Sequence, residues 1–345
     1  MHYFITGHTG FKGAWLTLWL VEQGHTVSGM SLDPAPGSLF ETADLASLMT
    51  GDTRADIRDP DEVAAAMQSA APDVVIHMAA QPLVRESYRD PRWTVETNVM
   101  GTLNVLEAVQ ATDSVRAQLI VTTDKVYRNV NQVAGYVEAD PLGGDDPYSA
   151  SKAMADLLTQ SWITSFGGPP TAVARAGNVI GGGDVSQDRL IPDIIHALES
   201  GKAPELRYPS AVRPWQHVLD CLNGYLLLVD RLLEGPTSPS NKGAWNFGPD
   251  ESSFVTVGDV ANLVATRWGS TLQWVSVGEV NLHEASLLAL DSTNSANLLN
   301  WRSLLGFHEA IEWTVDWYHV VRDGMAERDC TAKQIRAFDQ RMHWA

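Results

Sequence analysis

Tyr148 and Lys152 stand four residues apart in the run GGDDPYSASK, where a helix is expected to begin. That spacing puts a phenol and an ammonium on one helix face, one turn apart. Upstream, Thr123, Asp124 and Lys125 follow the apolar run Leu119-Ile120-Val121, so they fall at the exit of an expected buried strand. A phenol, an ammonium, a hydroxyl and a carboxylate so arranged suit proton-coupled redox chemistry on an alcohol. The bland alternative for Tyr148 and Lys152 is a surface pair on a helix. For Asp124 it is a cap on the strand end.

Such chemistry needs a hydride carrier, and the first residues are built to hold one. An apolar strand over 3–5 runs into Gly7-His8-Thr9-Gly10-Phe11-Lys12-Gly13. An apolar helix is expected over 14–22, stopping at Gly24, then a strand over 25–32 that ends at Asp33. Glycines allow a tight turn and close approach to a pyrophosphate, and the helix N-terminus supplies free N–H groups and a positive dipole end. Asp33 lies 20 residues past Gly13, where a carboxylate accepts from ribose hydroxyls and repels a 2′-phosphate. The expected cofactor is therefore NAD, with Gly7, Thr9, Gly10, Phe11, Lys12, Gly13 and Asp33 in contact with it.

The elements that position these residues alternate. Asp56-Ile57-Arg58-Asp59 precedes a short helix over 60–69, and the buried strand 74–78 runs into Ala79-Ala80-Gln81. A helix is expected over 97–111, a strand over 119–123, a long helix to about residue 165, and a strand over 171–175. Continuous apolar strands alternating with helices predict a Rossmann-type α/β fold, a doubly wound parallel sheet. Ligands in such sheets lie beyond the carboxyl ends of the strands. Asp56, Ile57, Ala79, Ala80 and Gln81 join the cofactor set there, as do Asn98, Tyr148 and Lys152; Asn98 can equally be a structural hydrogen-bonder. We place the domain boundary near Gly177, with 1–177 binding NAD and 178–345 forming a smaller substrate lobe. Part of 211–247 is expected to return to the main sheet. Asn178, Arg189, Leu190, Arg213 and His217 are the substrate candidates, and Arg213 suits a diphosphate because a guanidinium fork matches phosphate oxygens.

Composition narrows the partners. Net charge is −18, from 24 basic and 42 acidic residues, which disfavours a nucleic-acid binder. Cys221 and Cys330 form no metal-like spacing, and a reducing cytosol is the expected setting. Strand-like residues begin at Tyr3, no apolar stretch is long enough to span a bilayer, and neither a membrane nor a metal is expected as partner. The stretch 234–244 reads as a surface loop. His77 reads as strand-end packing, and Trp245, Trp301, Trp313 and Trp317 read as core.

The glycine loop with Tyr148-xxx-Lys152 resembles the extended short-chain dehydrogenase/reductase family. The blocks GHTGFKGAWL, HMAAQPLVRESY, TTDKVY, ARAGNVIGGGD, RPWQHVLD and WNFGPD narrow the resemblance to its CDP-glucose 4,6-dehydratases, over most of residues 1–250. The tail matches more loosely, at His283-Glu284-Ala285 and Leu290-Asp291-Ser292. The resemblance implies an NAD-bound lyase acting on CDP-glucose, with no net redox change. It implies Tyr148 as the base at the C4 hydroxyl, assisted by Lys152 and Thr123, and Asp124 as the acid for the C6 hydroxyl. Many related dehydratases carry glutamate after that aspartate as the C5 base. Here Lys125 stands there, either held neutral as a base or charged to stabilise an enolate. A nucleotide-sugar epimerase, a dehydratase of another sugar nucleotide and a non-catalytic NAD-binding sensor are the alternatives. Pairing of the helices over 98–111 and 149–165 would make a homodimer.

Overall fold

The computed structural model describes residues 1–132, 134–235, 243–278 and 288–342. Most of the 234–244 loop and all of His283-Glu284-Ala285 lie outside the described residues. Seven strands form one sheet: β1 (His2–Thr6), β2 (Thr26–Ser31), β3 (Gly51–Arg54), β4 (Val74–His77), β5 (Ala117–Val121), β6 (Thr171–Ala176) and β7 (Ala244–Phe247). Their order is β7-β6-β5-β4-β1-β2-β3, and every neighbouring pair is parallel. β4, β5, β6 and β7 are buried at every position, as a sheet covered on both faces requires. The chain lays strands outward on one side of β1 and then on the other. The crevice between the ends of β1 and β4 is the switch point where such folds bind ligands.

The longer helices are α1 (Phe11–Glu22), α2 (Pro60–Ala70), α3 (Gly101–Gln110), α4 (Pro147–Phe166), α5 (Leu190–Glu199), α6 (Val218–Leu233), α7 (Val257–Trp268), α8 (Phe307–Arg322) and α9 (Glu327–Met342). α1 is apolar on all sides because it is enclosed, with Trp15, Leu16, Trp19 and Leu20 fully buried. α6 packs into the main core. α9 returns there too. Its Ile335 and Phe338 join the core around α1, and Trp19 Nε1 donates to Asp339 Oδ1 at 3.0 Å. Ile191, Ile194 and Ile195 of α5, Val260 and Val264 of α7, and Phe307 and Ile311 of α8 form a second core. Trp245, Trp301 and Trp317 are core residues; Trp313 is partly buried beside them.

The single helix expected over 97–111 is divided. A helix over Pro91–Val95 passes through a π-turn at Glu96–Met100 before α3 begins. Asn98 sits in that turn with its amide fully engaged. Its Oδ1 accepts from Gln81 N at 2.8 Å, and its Nδ2 donates to Gln81 O at 3.1 Å and Ser151 Oγ at 2.8 Å. A widened turn can thus be held by tertiary hydrogen bonds that no local periodicity reports.

α4 begins where sequence signals place it. Asp146 caps it by accepting from Ser149 N at 2.9 Å, and Pro147 occupies the first turn. A buried ion pair fixes the helix to the sheet. Arg175 of β6 donates through Nε and Nη2 to both oxygens of Asp156 at 2.8 Å, and both side chains are fully buried. Arg175 Nη1 also donates to Tyr127 Oη at 2.7 Å, and Thr122 Oγ1 donates to Asp156 Oδ2 at 3.1 Å. Removing one partner leaves a buried charge uncompensated. Asp156→Ala is expected to destabilise the fold by ~3–5 kcal/mol, read from urea denaturation, whereas an apolar pair such as Asp156→Leu with Arg175→Met recovers much of the loss.

Candidate active site

A cleft of about 570 Å³ opens beyond the carboxyl ends of β1, β4, β5 and β6. At its floor, Gly7 takes φ +77, and a Cβ there would lie 2.7 Å from Ala79 N. A Cβ on Gly13 would strike the Gly7 carbonyl and the His8 backbone. Gly10 caps α1 without a side chain, and the first turn of α1 carries no acid. The first-turn amides are therefore open to an anion, and the glycine surface fits a dinucleotide pyrophosphate.

Thr9, Phe11, Lys12, Asp56, Ile57, Ala79 and Ala80 line this cleft with the glycines, as expected. Three expected cofactor residues do not. β2 ends at Ser31 and the chain leaves through Pro34 and Pro36, so Asp33 stands exposed while Ser31 and Leu32 form the lining. Gln81 and Asn98 are buried behind the wall in their mutual hydrogen bonds. Their place is structural: they hold the chain after β4 against α4.

Thr123, Lys125, Tyr148 and Lys152 line the opposite wall. Lys152 Nζ donates to Val121 O at 2.9 Å, tying α4 to the end of β5. Burial pushes Tyr148 up to about 12; the Arg189 guanidinium, then a hydrogen bond with Thr123, pull it back. Burial, then repulsion from Lys12, bring Lys152 down to about 7, with Asp156 acting against them. The cation that bears most on Tyr148 is thus Arg189, which sequence spacing assigned only to substrate. Thr123 joins the two acid–base groups, pairing with Tyr148 and donating to Asp124 Oδ1 at 2.9 Å. Lys125 Nζ lies 3.8 Å from the same oxygen. Asp124 itself is fully buried under the wall, and its Oδ2 has no hydrogen-bond partner among the described residues.

Of the substrate candidates, Asn178, Arg189, Leu190 and Arg213 line the cleft. His217 does not. It is fully buried between Trp15 and Trp313 and caps α6, accepting from Leu219 N through Nδ1 at 3.3 Å. Sequence reasoning missed Arg85, Asp188 and Arg207 at the mouth. Asp188 Oδ1 accepts from Arg207 at 2.8 Å and Arg85 at 3.2 Å. It also missed Tyr225 of α6, which accepts from Lys12 Nζ at 3.1 Å. The 213-residue separation of Lys12 and Tyr225 left no local signal.

The profile of the NAD dependent epimerase/dehydratase family matches residues 3–248. The chain belongs to that family. Among curated relatives, a CDP-glucose 4,6-dehydratase of Salmonella typhimurium is 42% identical over 96% of this chain and 94% of its own length. A probable dTDP-glucose 4,6-dehydratase of Sinorhizobium fredii is 29% identical over 92% and 93%. Among solved structures, dTDP-glucose 4,6-dehydratase DesIV of Streptomyces venezuelae, with NAD and TYD bound, superposes with a TM-score of 0.80 at 24% identity, covering 94% of this chain and 98% of that one. UDP-glucose 4-epimerase of Thermotoga maritima gives a TM-score of 0.82 at 20% identity, covering 93% and 100%. The family is NAD-dependent, in agreement with the open glycine cradle. Among the described residues, no helix is long and apolar enough to cross a membrane.

Two imidazoles at the edges of this site give a pH signature. His77 bonds Thr6 Oγ1 and Thr102 Oγ1 at 2.7 and 3.0 Å, and burial holds both His77 and His217 down to about 3 from 6.5. An unfolded chain takes up protons at 6.5 that these residues refuse while folded. Stability is therefore complete above the unfolded value and is lost as pH falls from 6.5 towards about 3. Urea midpoints measured across that window should fall with pH, and the slope should shrink in His77→Gln.

Proposed function

We propose that this family member catalyses the redox-neutral dehydration of CDP-glucose to CDP-4-keto-6-deoxyglucose. The observation that carries the reading is Asp124, a carboxylate placed beside the alcohol-oxidising pair through Thr123. Oxidation at C4 calls for Tyr148 and Lys152. A 4-epimerase expels nothing from C6 and needs no acid there. The CDP-glucose 4,6-dehydratase at 42% identity over nearly the whole chain supports the same substrate.

Bound NAD supplies the acceptor for the C4 hydride and the donor that later reduces C6. Tyr148, ionised with help from Arg189, Lys152 and the cofactor's charge, takes the C4 hydroxyl proton while Thr123 holds that oxygen. The 4-keto group acidifies C5–H. A base in the cleft other than Lys125 takes the C5 proton, the C6–O bond breaks, the oxygen leaves as water with the proton of Asp124, and a C5=C6 double bond forms. C5 finally regains a proton as C6 is reduced, so one water is lost and no electron is gained. An ammonium cannot accept a proton, so Lys125 acts by stabilising the enolate oxygen. Arg213 and Arg189 suit the diphosphate, with Asn178 and Leu190 beside them.

Residues 1–177 serve the cofactor on this reading, and 178–345 serve the sugar nucleotide apart from the returning segment in 211–247. The unpaired, buried Cys221 and Cys330 suit a reducing cytosol. The helices over 98–111 and 149–165 form the dimer contact, supported by exposed Met100, Met154 and Leu157. Leu157→Lys with Met154→Lys should halve the mass seen by sedimentation.

Incubation with CDP-, dTDP-, GDP- and UDP-glucose is the deciding experiment. CDP-glucose should give a 4-keto-6-deoxy product with no net NADH, and Tyr148→Phe should lower kcat by ~10²–10⁴. A product that keeps its C6 oxygen and inverts C4 would make the chain an epimerase instead.

A further inference from the structure

We propose that Gly177 is a positioning residue for the elimination step, because the space left by its missing side chain is where the Asp124 carboxylate sits. The inference rests on Asp124 being the acid at C6. A Cβ built on Gly177 would overlap Cγ, Oδ1 and Oδ2 of Asp124 together. No left-handed backbone requires glycine at this position, since Gly177 is not among the residues of positive φ. The requirement is for volume.

The clash cannot be relieved from the glycine side. Gln216 is fully buried, and its Nε2 donates to Gly177 O at 3.2 Å and to Phe247 O at 2.8 Å. Gln216 N donates to Asn178 O at 3.3 Å, so the peptides on both sides of Asn178, the first of them the C-terminal peptide of Gly177, are tied to one strand. The yielding part is the carboxylate. Turning it away breaks the 2.9 Å bond from Thr123 and moves Oδ1 off Lys125. Oδ2, buried without a partner against a residue that lines the cleft, is the atom whose place is lost.

Lys152 stays bonded to Val121 O and Thr123 keeps its contact with Tyr148 when the carboxylate turns, so a side chain at 177 should separate the two halves of the reaction. Gly177→Ala should still oxidise C4 of CDP-glucose, yielding bound 4-keto sugar that keeps its C6 oxygen while the nicotinamide stays reduced. Formation of the 6-deoxy product should fall at least ~10²-fold, as in Asp124→Asn, with little change in KM. A second readout needs no turnover. Gly177→Ala should lower Tm in the wild-type background but not in an Asp124→Ala background, where the colliding atoms are gone. If Gly177→Ala does not fold, the double variant must. Equal losses of Tm in both backgrounds, or failure of the double variant to fold, would overturn the proposal. So would wild-type dehydration by Gly177→Ala beside an impaired Asp124→Asn, which leaves the acid assignment standing. Wild-type dehydration by Asp124→Asn would remove the assignment itself.

Discussion

The buried pair of Arg175 and Asp156 is the constraint on which the site depends. Two opposite charges are fully removed from water, and they repay that only through bidentate geometry and the added bonds to Tyr127 and Thr122. The pair sets the height of α4 over β5 and β6. Tyr148 and Lys152 ride on the first turns of that helix, and Thr123 and Asp124 leave the end of β5. A shift of the helix along the sheet would separate the phenol from the hydroxyl that links it to the carboxylate. Exact charge placement here does positional work that an oily contact, indifferent to sliding, would not do.

Electrostatics then divide the wall of the cleft into unlike neighbours. Tyr148 is pushed towards its neutral form and Lys152 towards its own, both chiefly by burial. Neither would act in isolation. Arg189 arrives from the segment before α5 and offsets the burial of the phenol.

Much of this was legible in the sequence, for identifiable reasons. Apolar runs bounded by turns set the parallel sheet, and the run GGDDPYSASK placed the start of α4. The glycine spacing located the cradle. What escaped is non-local. Asn98 lies in a π-turn made by bonds to Gln81 and Ser151, which hydrophobic periodicity cannot register. His217 was mistaken for a ligand because a motif block places it near Arg213, but the strand–helix junction turns its ring inwards to cap α6. Asp33 follows the spacing rule while the local chain, bending at two prolines, leaves it exposed. Lys12 and Tyr225 meet only because α6 returns to the sheet.

That return has a temporal side. The helix bearing the phosphate-binding turn is α1, near the start of the chain, yet Ile335 and Phe338 of α9 help to enclose it. During synthesis α1 emerges first and waits for more than three hundred residues before its last apolar neighbours arrive. α1 therefore completes its core only once α9 has been made. Until α9 docks, Trp19 lacks the Asp339 acceptor and part of its packing. In that interval part of the apolar surface of α1 stays uncovered, a window in which chaperone capture competes with folding.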